Sequence, residues 1–182
     1  MTVAPAGATS PRAAFTLLEL LAVLAITAVL AALAISAGQY AAQSAKVART
    51  RGELALVAAA LEDYRRVFGD YPRTGDNARM LQSLLGKFGP DGTAIAGRAV
   101  FDASRFATVG ARDPRTDPGA ELADAWGQPY RFFYRSQTPW TNVGYVLYSV
   151  GPDGIDVTVL NSGGFPDFTA SPNADNLFAH GQ

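Results

Sequence analysis

The chain lacks the residue types on which most metal sites and many active sites depend. Its 182 residues include no cysteine and one histidine, His180. The absence of cysteine excludes disulfides, cysteine-based metal sites and cysteine nucleophiles. A single histidine cannot supply a histidine-rich metal site and gives little support to a serine–histidine–aspartate triad. We therefore predict no catalytic residues, and the composition favours a structural or binding protein over an enzyme.

An excess of positive charge is also missing. The formal net charge is -1 and the isoelectric point is near 5.8. These values argue against a nucleic-acid-binding protein whose affinity comes from bulk positive charge. The length leaves room for one compact domain plus a long helix. Because there are no disulfides, an exported domain would have to be stabilised by its core or by another device, such as a metal ion.

An apolar run near the N-terminus is the most informative stretch. From residue 15 to residue 35 nearly every residue is Leu, Ala, Val or Ile, and the only charged one is Glu19. About 20 apolar residues suffice to cross the bilayer core as a helix. A carboxylate there costs roughly 2.5 to 3.5 kcal/mol on insertion scales, so Glu19 should have a partner or a function. A secretory signal peptide would place its charge before the apolar core.

The sequence Phe-Thr-Leu-Leu-Glu at residues 15–19, after a short polar leader, resembles the processing site of type IV prepilins and type II secretion pseudopilins. The resemblance implies that a prepilin peptidase cuts between Ala14 and Phe15 and methylates the new amino group of Phe15. Most family members have Gly where this chain has Ala14. The resemblance also implies that Glu19 pairs with the N-terminal amine of a neighbouring subunit during assembly, a partner that suits a carboxylate in a medium of low dielectric constant.

The segments before and after the apolar run define three regions. Residues 1–14 show no periodicity and are interpreted as a leader peptide. Residues 15–38 are the predicted transmembrane and polymerisation helix, and residues 39–182 the periplasmic globular domain, including the amphipathic half of the helix. That half carries an apolar stripe at helical spacing and should end at Gly69 and Pro72. The stripe comprises Val47, Leu54, Val57, Leu61, Tyr64 and Phe68. It would pack on the chain's own domain or, as the alternative, on a coiled-coil partner.

The rest of the chain predicts a small sheet. A short helix is expected at residues 77–85, and residues 86–122 read as an irregular surface segment. Runs rich in aromatic and β-branched residues predict antiparallel strands at residues 131–135, 144–150 and 155–159. Three strands need an apolar backing, which the helical stripe supplies. The predicted fold is therefore α+β and pilin-like: a long N-terminal α-helix packed against a small C-terminal antiparallel sheet.

A narrower resemblance lies in the C-terminal half. Residues 124–130 (Asp-Ala-Trp-Gly-Gln-Pro-Tyr) and 145–154 (Tyr-Val-Leu-Tyr-Ser-Val-Gly-Pro-Asp-Gly) look like the major pseudopilin of type II secretion systems. Together with the N-terminal motif, the resemblance covers most of the chain except residues 86–122.

The acidic residues near the C-terminus suggest a calcium site. From residue 136 onwards there are four carboxylates, Asp153, Asp156, Asp167 and Asp175, and no Lys or Arg. Hard oxygen ligands without a local countercharge suit Ca²⁺. The major pseudopilin that the chain resembles binds calcium in the corresponding loop. The resemblance therefore implies that Asp153 and Asp156 are ligands here, with Asp167 completing the site. The alternative is that Asp153 is a turn residue, Asp156 faces solvent on a strand, and the other two lie in a loose tail.

Taken together, these features predict a structural subunit of a type II secretion pseudopilus. It would be a single-pass inner-membrane protein with a periplasmic domain, assembled into a periplasmic filament that drives protein export. The resemblance implies as partners other copies of the chain, minor pseudopilins, the prepilin peptidase, the inner-membrane assembly platform and the membrane. The charge balance predicts no nucleic-acid partner. Two alternatives stay open: a type IV pilus subunit for adhesion, motility or DNA uptake, and, more distantly, a membrane-anchored enzyme.

Overall fold

A computed structural model describes residues 16–157, 159–169 and 171–179. In chain order, these residues form two α-helices and three short β-strands. They are α1 (Leu17–Phe68), α2 (Asn77–Leu84), β1 (Arg131–Phe133), β2 (Val146–Ser149) and β3 (Leu177–Phe178). Single 3₁₀ turns lie at Ala103–Arg105, Val109–Ala111 and Ser171–Asn173. The architecture is α+β and pilin-like, as predicted.

The chain divides into two compact units. The first ends at Ala42 and the second begins at Gln43, and α1 contributes residues to both. In the first unit, the described residues are helical from Leu17 onwards and almost all exposed. The second unit contains the core and the sheet, and the helix–domain packing described below belongs to it alone.

The apolar stripe of α1 lies in the core of the second unit. Leu54, Val57, Leu61 and Tyr64 are each no more than 1% exposed, and Val47 and Phe68, at the two ends of the stripe, are half-buried. Their spacing of three and four residues places them on one face of the helix. The stripe therefore packs on the chain's own domain, as preferred from the sequence.

Local signals set the ends of both helices. α1 stops where Gly69 adopts a φ of +88°, a left-handed conformation that glycine takes at little cost. The Gly69 N–H donates to the Arg65 carbonyl at 2.7 Å. α2 begins after Asp76, whose carboxylate accepts from the Arg79 N–H at 3.1 Å, a typical N-cap. Met80 is fully buried, as expected for a core residue.

The sheet has the order β1-β2-β3 and both of its pairings are antiparallel. β1 and β2 confirm the strands predicted around residues 131–135 and 144–150, although each is shorter. The predicted third strand at residues 155–159 is wrong: residues 155–157 and 159 are irregular, and the third strand is β3. Residues 155–157 do alternate, but the apolar side chains face solvent and the polar one faces the sheet. Ile155 and Val157 are 52% and 42% exposed, while Asp156 turns towards the sheet.

Both faces of the sheet are covered. On one face, Phe132 and Leu147 belong to the main core with α1 and α2. On the other face, Val146, Tyr148, Val150 and Val159 form a second apolar cluster. Consequently all four residues of β2 are buried, and the region after residue 150 forms part of the core.

The segment 86–122 is irregular, as predicted, and it is held by polar contacts from α2 and from within the segment itself. The Gln82 amide donates to the Pro114 carbonyl at 3.0 Å. The Lys87 ammonium donates to the carbonyls of Pro114 and Arg115 at 3.3 and 3.2 Å. These bonds satisfy backbone carbonyl groups of the irregular segment.

Candidate functional site

The first turn of α1 carries a reciprocal cap. Thr16 is the residue before the helix, and its N–H and hydroxyl both donate to Glu19 Oε2 at 2.9 Å. In return, the Glu19 N–H donates to Thr16 Oγ1 at 3.2 Å. A threonine and a glutamate three residues apart that satisfy each other's N–H groups form a capping box. The pair therefore satisfies two of the free N–H groups at the start of the helix, those of Thr16 and Glu19.

The carboxylate of Glu19 retains capacity for a cation. Both bonds from Thr16 fall on Oε2, and within the described chain Oε1 accepts no hydrogen bond and Glu19 forms no ion pair. A carboxylate can accept about four hydrogen bonds, so the second oxygen is available to a partner outside this turn. Ala14 and Phe15, the residues predicted to flank the cut, lie outside the described residues.

The helix that follows Glu19 presents an apolar surface on every side. The large apolar side chains from Leu17 to Ile35 are between 56% and 83% exposed. Judged by length and composition, α1 is the one helix among the described residues that is long and apolar enough to cross a membrane. Its most apolar stretch of 18 residues is entirely unburied. A helix that is apolar all round needs a lipid or protein environment.

The polar side chains within this apolar stretch are satisfied by their own helix. The Thr27 hydroxyl donates to the carbonyls of Val23 and Leu24 at 2.9 and 3.0 Å, and the Ser36 hydroxyl donates to Leu33 at 2.9 Å. Such bonds remove the cost of placing a hydroxyl in hydrocarbon. Glu19 is thus the only ionisable group in the stretch that needs an external partner.

The three predicted calcium ligands have separate partners in the structure. Asp156 accepts from the Tyr148 hydroxyl at 2.7 Å and lies 3.4 Å from Arg131 Nε. Arg131 and Tyr148 are opposite each other in the β1–β2 ladder, which is why both reach the same carboxylate. Burial and then the bond to Asp156 raise the pKa of Tyr148 above its ordinary value. Asp156 is therefore already charge-paired.

Asp153 and Asp167 each organise a turn. Asp153 Oδ1 accepts from the Ile155 N–H at 2.8 Å. Asp167 Oδ1 accepts from the hydroxyl and N–H of Thr169 at 2.6 and 2.9 Å, and these two bonds lower the pKa of Asp167. Among the residues that the structure describes, no three acidic or histidine side chains are grouped so that they could hold a metal ion.

The carboxylate that does approach Asp153 is Asp175. The Asp153 N–H donates to Asp175 Oδ2 at 3.3 Å. Gly151, with a φ of +75°, packs so closely on this segment that a Cβ there would collide with the Asp175 carbonyl. The structure thus places the Asp175 carboxylate beside the backbone of Asp153 and the Asp175 carbonyl beside Gly151, while the Asp153 carboxylate is bound by the Ile155 N–H. The spacing in the sequence gave no reason to choose Asp175 over Asp167.

Two further features were missed in the sequence. The capping box was visible, because Thr16 and Glu19 have the required spacing, but only Glu19 was considered. The second feature is Asp124, which is 3% exposed. Its Oδ1 accepts from the N–H groups of Trp126 and Gln128 at 2.9 Å, and its Oδ2 from the Ser149 hydroxyl. Asp124 therefore ties the turn before β1 to the end of β2.

Comparison with known proteins finds a match at the N-terminal end of the chain. Residues 9–35 match the prokaryotic N-terminal methylation motif, which marks type IV pilin-like prepilins and pseudopilins. Neither a curated protein nor a solved structure matches the chain. The matched region contains Ala14, Phe15, Thr16 and Glu19, and it ends where the strongly apolar part of α1 ends.

Proposed function

We propose that this chain is a structural subunit of a type II secretion pseudopilus, polymerised into a periplasmic filament that drives protein export. The methylation motif at residues 9–35 supports a type IV pilin-like protein that is processed by a prepilin peptidase and polymerises. The α+β pilin-like fold agrees with a structural role. The choice of a secretion filament rests on the likeness of residues 124–130 and 145–154 to the major pseudopilin.

The observation that carries the proposal is the half-used carboxylate of Glu19 at the start of an exposed apolar helix. Its Oε2 is bound by Thr16, and no cation of the described chain pairs with it. When apolar helices pack together in a filament, an unpaired carboxylate between them is costly. The N-terminal amine of Phe15 in a neighbouring copy supplies the missing positive charge. Pairing of the two groups would fix the register between subunits.

Assembly then follows from the surface of α1. The apolar segments leave lipid and pack in the centre of the filament, and the Thr27 and Ser36 hydroxyls keep their bonds to the helix. The partners are other copies of the chain, minor pseudopilins, the prepilin peptidase and the inner-membrane assembly platform. Before assembly the subunit is a single-pass inner-membrane protein with its second unit in the periplasm. The subunit itself performs no reaction.

The first test is the intact mass of the membrane-extracted protein, with and without the prepilin peptidase. We expect loss of residues 1–14 and addition of one methyl group only when the peptidase is present. An uncut chain, or a chain cut after the apolar run, would contradict the proposal at its base.

The second test separates the charge of Glu19 from its capping role. In E19Q the amide oxygen can still accept from Thr16, whereas the negative charge is lost. We expect E19Q to fold, insert and be processed normally but to form no filaments, because the neighbour's amine is left unpaired. The matched control is D63N, which neutralises an exposed carboxylate paired with Arg66 on the outer face of α1. Normal filaments from E19Q would refute the proposed pairing.

The pilus alternative predicts a different phenotype. Deleting the gene for a secretion subunit should stop export of proteins to the medium and leave surface fibres intact. Deleting a pilus subunit should remove long surface fibres and spare export. The second outcome would replace the secretion proposal while retaining the pilin-like class.

Calcium binding is a separate proposal, in which we keep Asp153 as a ligand and replace Asp156 and Asp167 by Asp175. Asp153 and Asp175 lie at one turn, with the Asp175 carbonyl beside Gly151, whereas Asp156 is paired with Arg131 and Asp167 with Thr169. Oxygen donors of this kind are those that Ca²⁺ takes. The ion would join the turn at residues 151–154 to the segment before β3.

A further inference from the structure

A groove of about 780 Å³ lies within the second unit, between α1 and the segment 174–179. Its α1 wall includes Val47 and Arg51, which share a helix face because they are four residues apart. Most of the other side chains that line it are apolar, among them Leu177 and Phe178 of β3. The groove is therefore an apolar cleft with a basic residue on one wall.

The guanidinium of Arg51 is available to a partner from outside the chain. Arg51 is exposed and, within the described part of the chain, forms no hydrogen bond and no ion pair. By contrast, Arg49 is paired with Glu53 at 2.7 Å. Asp175 is the one acidic residue that lines the groove, and its Oδ2 accepts from the Asp153 N–H at 3.3 Å. An acidic group brought into the groove would therefore meet an unpaired cation.

The segment 165–168 (Phe-Pro-Asp-Phe) has the complementary character. Phe165 and Phe168 are 44% and 47% exposed. Asp167 accepts both of its bonds from Thr169 on Oδ1. Among the described residues, its Oδ2 accepts no bond and no cation pairs with it. The segment thus presents two aromatic side chains and an unsatisfied carboxylate oxygen, a combination typical of protein interfaces.

Contacts within the unit hold this segment in place. The Asp167 N–H donates to the Val159 carbonyl at 2.6 Å. The ring of Phe168 packs edge-on against Phe178, with the two centroids 4.9 Å apart, but Phe168 itself is not part of the groove lining. The segment therefore lies beside the groove of its own copy and leaves it open. A surface that is already ordered loses little conformational freedom on binding.

We propose that the segment 165–168 of one copy docks in the groove of the next, with its aromatic side chains against the apolar lining and Asp167 paired with Arg51. The contact joins two different patches of the same chain, so it is heterologous and can repeat from copy to copy. A filament requires a contact of this kind. The inference rests on the polymerisation that is part of the proposed function, and it adds a contact between second units to the pairing of Glu19.

The test is cross-linking between copies, which is specific because the chain has no cysteine of its own. A174C places a thiol on the groove, and S162C places one near the segment 165–168; both positions are exposed. Filaments are assembled from a mixture of the two processed full-length variants and treated with a short bis-maleimide. Because unlike patches meet, we expect cross-linked dimers from the mixture at a yield about tenfold above either variant alone. A matched control is A96C, which is exposed on the irregular segment and should not cross-link to A174C.

The proposed ion pair is tested in the same assay. In D167N the amide oxygen can still accept from Thr169, whereas the charge is lost. We expect D167N and R51Q each to lower the cross-linking yield severalfold, and the double variant to lower it no further, because both changes remove one pair. R98Q removes another exposed arginine without a carboxylate partner and should leave the yield unchanged.

Two results would overturn the inference while leaving the proposed function intact. One is normal filaments in which A174C and S162C do not cross-link, or do so equally well in R51Q and D167N. The other is efficient cross-linking of A174C to itself, which would mean that two grooves face each other in a closed pair. A chain that is processed but forms no filaments would instead refute the proposed function, and this inference with it. Intact mass and electron microscopy of the same samples distinguish these cases.

Discussion

A hydrogen bond between Tyr130 and Glu53 joins the start of β1 to α1. Tyr130 is fully buried just before β1, and its hydroxyl donates to Glu53 Oε2 at 2.6 Å. The other oxygen of Glu53 accepts from Arg49 at 2.7 Å, and the Glu53 side chain is 12% exposed. Y130F removes the donor and leaves one oxygen of a poorly hydrated carboxylate unsatisfied.

The expected cost of Y130F can be estimated from the contact. Hydrogen bonds to charged groups contribute about 1.5 to 3 kcal/mol, and a buried partner left alone loses the most. Because Glu53 keeps Arg49 and a little water, we expect a loss of about 2 kcal/mol in the free energy of unfolding. For a unit of this size, 1 kcal/mol corresponds to about 3 °C, so the melting temperature should fall by about 6 °C.

A matched control is a second tyrosine that donates to a glutamate of α1. The Tyr71 hydroxyl donates to Glu62, also at 2.6 Å, but the Glu62 side chain is 38% exposed. Water can replace the lost donor there, so Y71F should cost less than half as much as Y130F. Thermal unfolding of the full chain in detergent, followed by near-UV circular dichroism, measures both. A Y130F protein within 0.5 kcal/mol of the wild type, or a Y71F protein that is less stable, would refute this reasoning.

Three other predictions concern the acid sensitivity of Asp70, the ionisation of two buried tyrosines, and calcium. Burial opposes ionisation of Asp70, but hydrogen bonds from Tyr134 and Arg73 outweigh it and lower its pKa. Stability should therefore fall as the pH drops below about 4, and this acid-sensitive part should be absent in D70N; an unchanged acid profile would contradict it. Burial raises the pKa of Tyr64 and Tyr71 to about 12. In the unfolded chain the two tyrosines ionise near pH 10. The free energy of unfolding, measured with urea, should therefore fall above pH 10 by up to about 1.4 kcal/mol per pH unit for each tyrosine. A free energy of unfolding that stays constant from pH 9 to 11 would contradict this prediction. Millimolar Ca²⁺ should raise the melting temperature of the wild type and not that of D153N, and equal shifts in both would exclude the calcium site.

Periodicity explains which elements could be predicted from the sequence. The stripe of α1, the cap at Gly69 and the positions of β1 and β2 depend on neighbours within a few residues, and all were found. β3 has only two residues, too few to produce an alternating pattern. Residues 155–159 do alternate, but Asp156 faces inwards because Tyr148 and Arg131 are placed to receive it. No local pattern reveals that reversal.

The polar contacts between segments could not be predicted from the sequence either, because no local pattern reveals them. Glu53 and Glu62 lie outside the apolar stripe of α1, where charged residues usually face solvent. In the fold they accept hydroxyls from Tyr130 and Tyr71, which lie 77 and 9 residues away in the chain. These partners are set by tertiary packing. In contrast, the Thr16–Glu19 cap is local and could have been predicted.

The capping box also bears on how Glu19 could serve two roles. If one oxygen had to serve both the cap and a neighbour's amine, each pairing would open the first turn of α1, at about 1 kcal/mol for a lost cap. Thr16 instead places both of its bonds on Oε2, and the other oxygen can take the amine while the turn stays closed. In the proposed pairing, charge would determine which neighbour is accepted, and the cap would preserve the helix during transfer from lipid. The two roles are separable, and for this reason we expect E19Q to retain the helix and lose the filament.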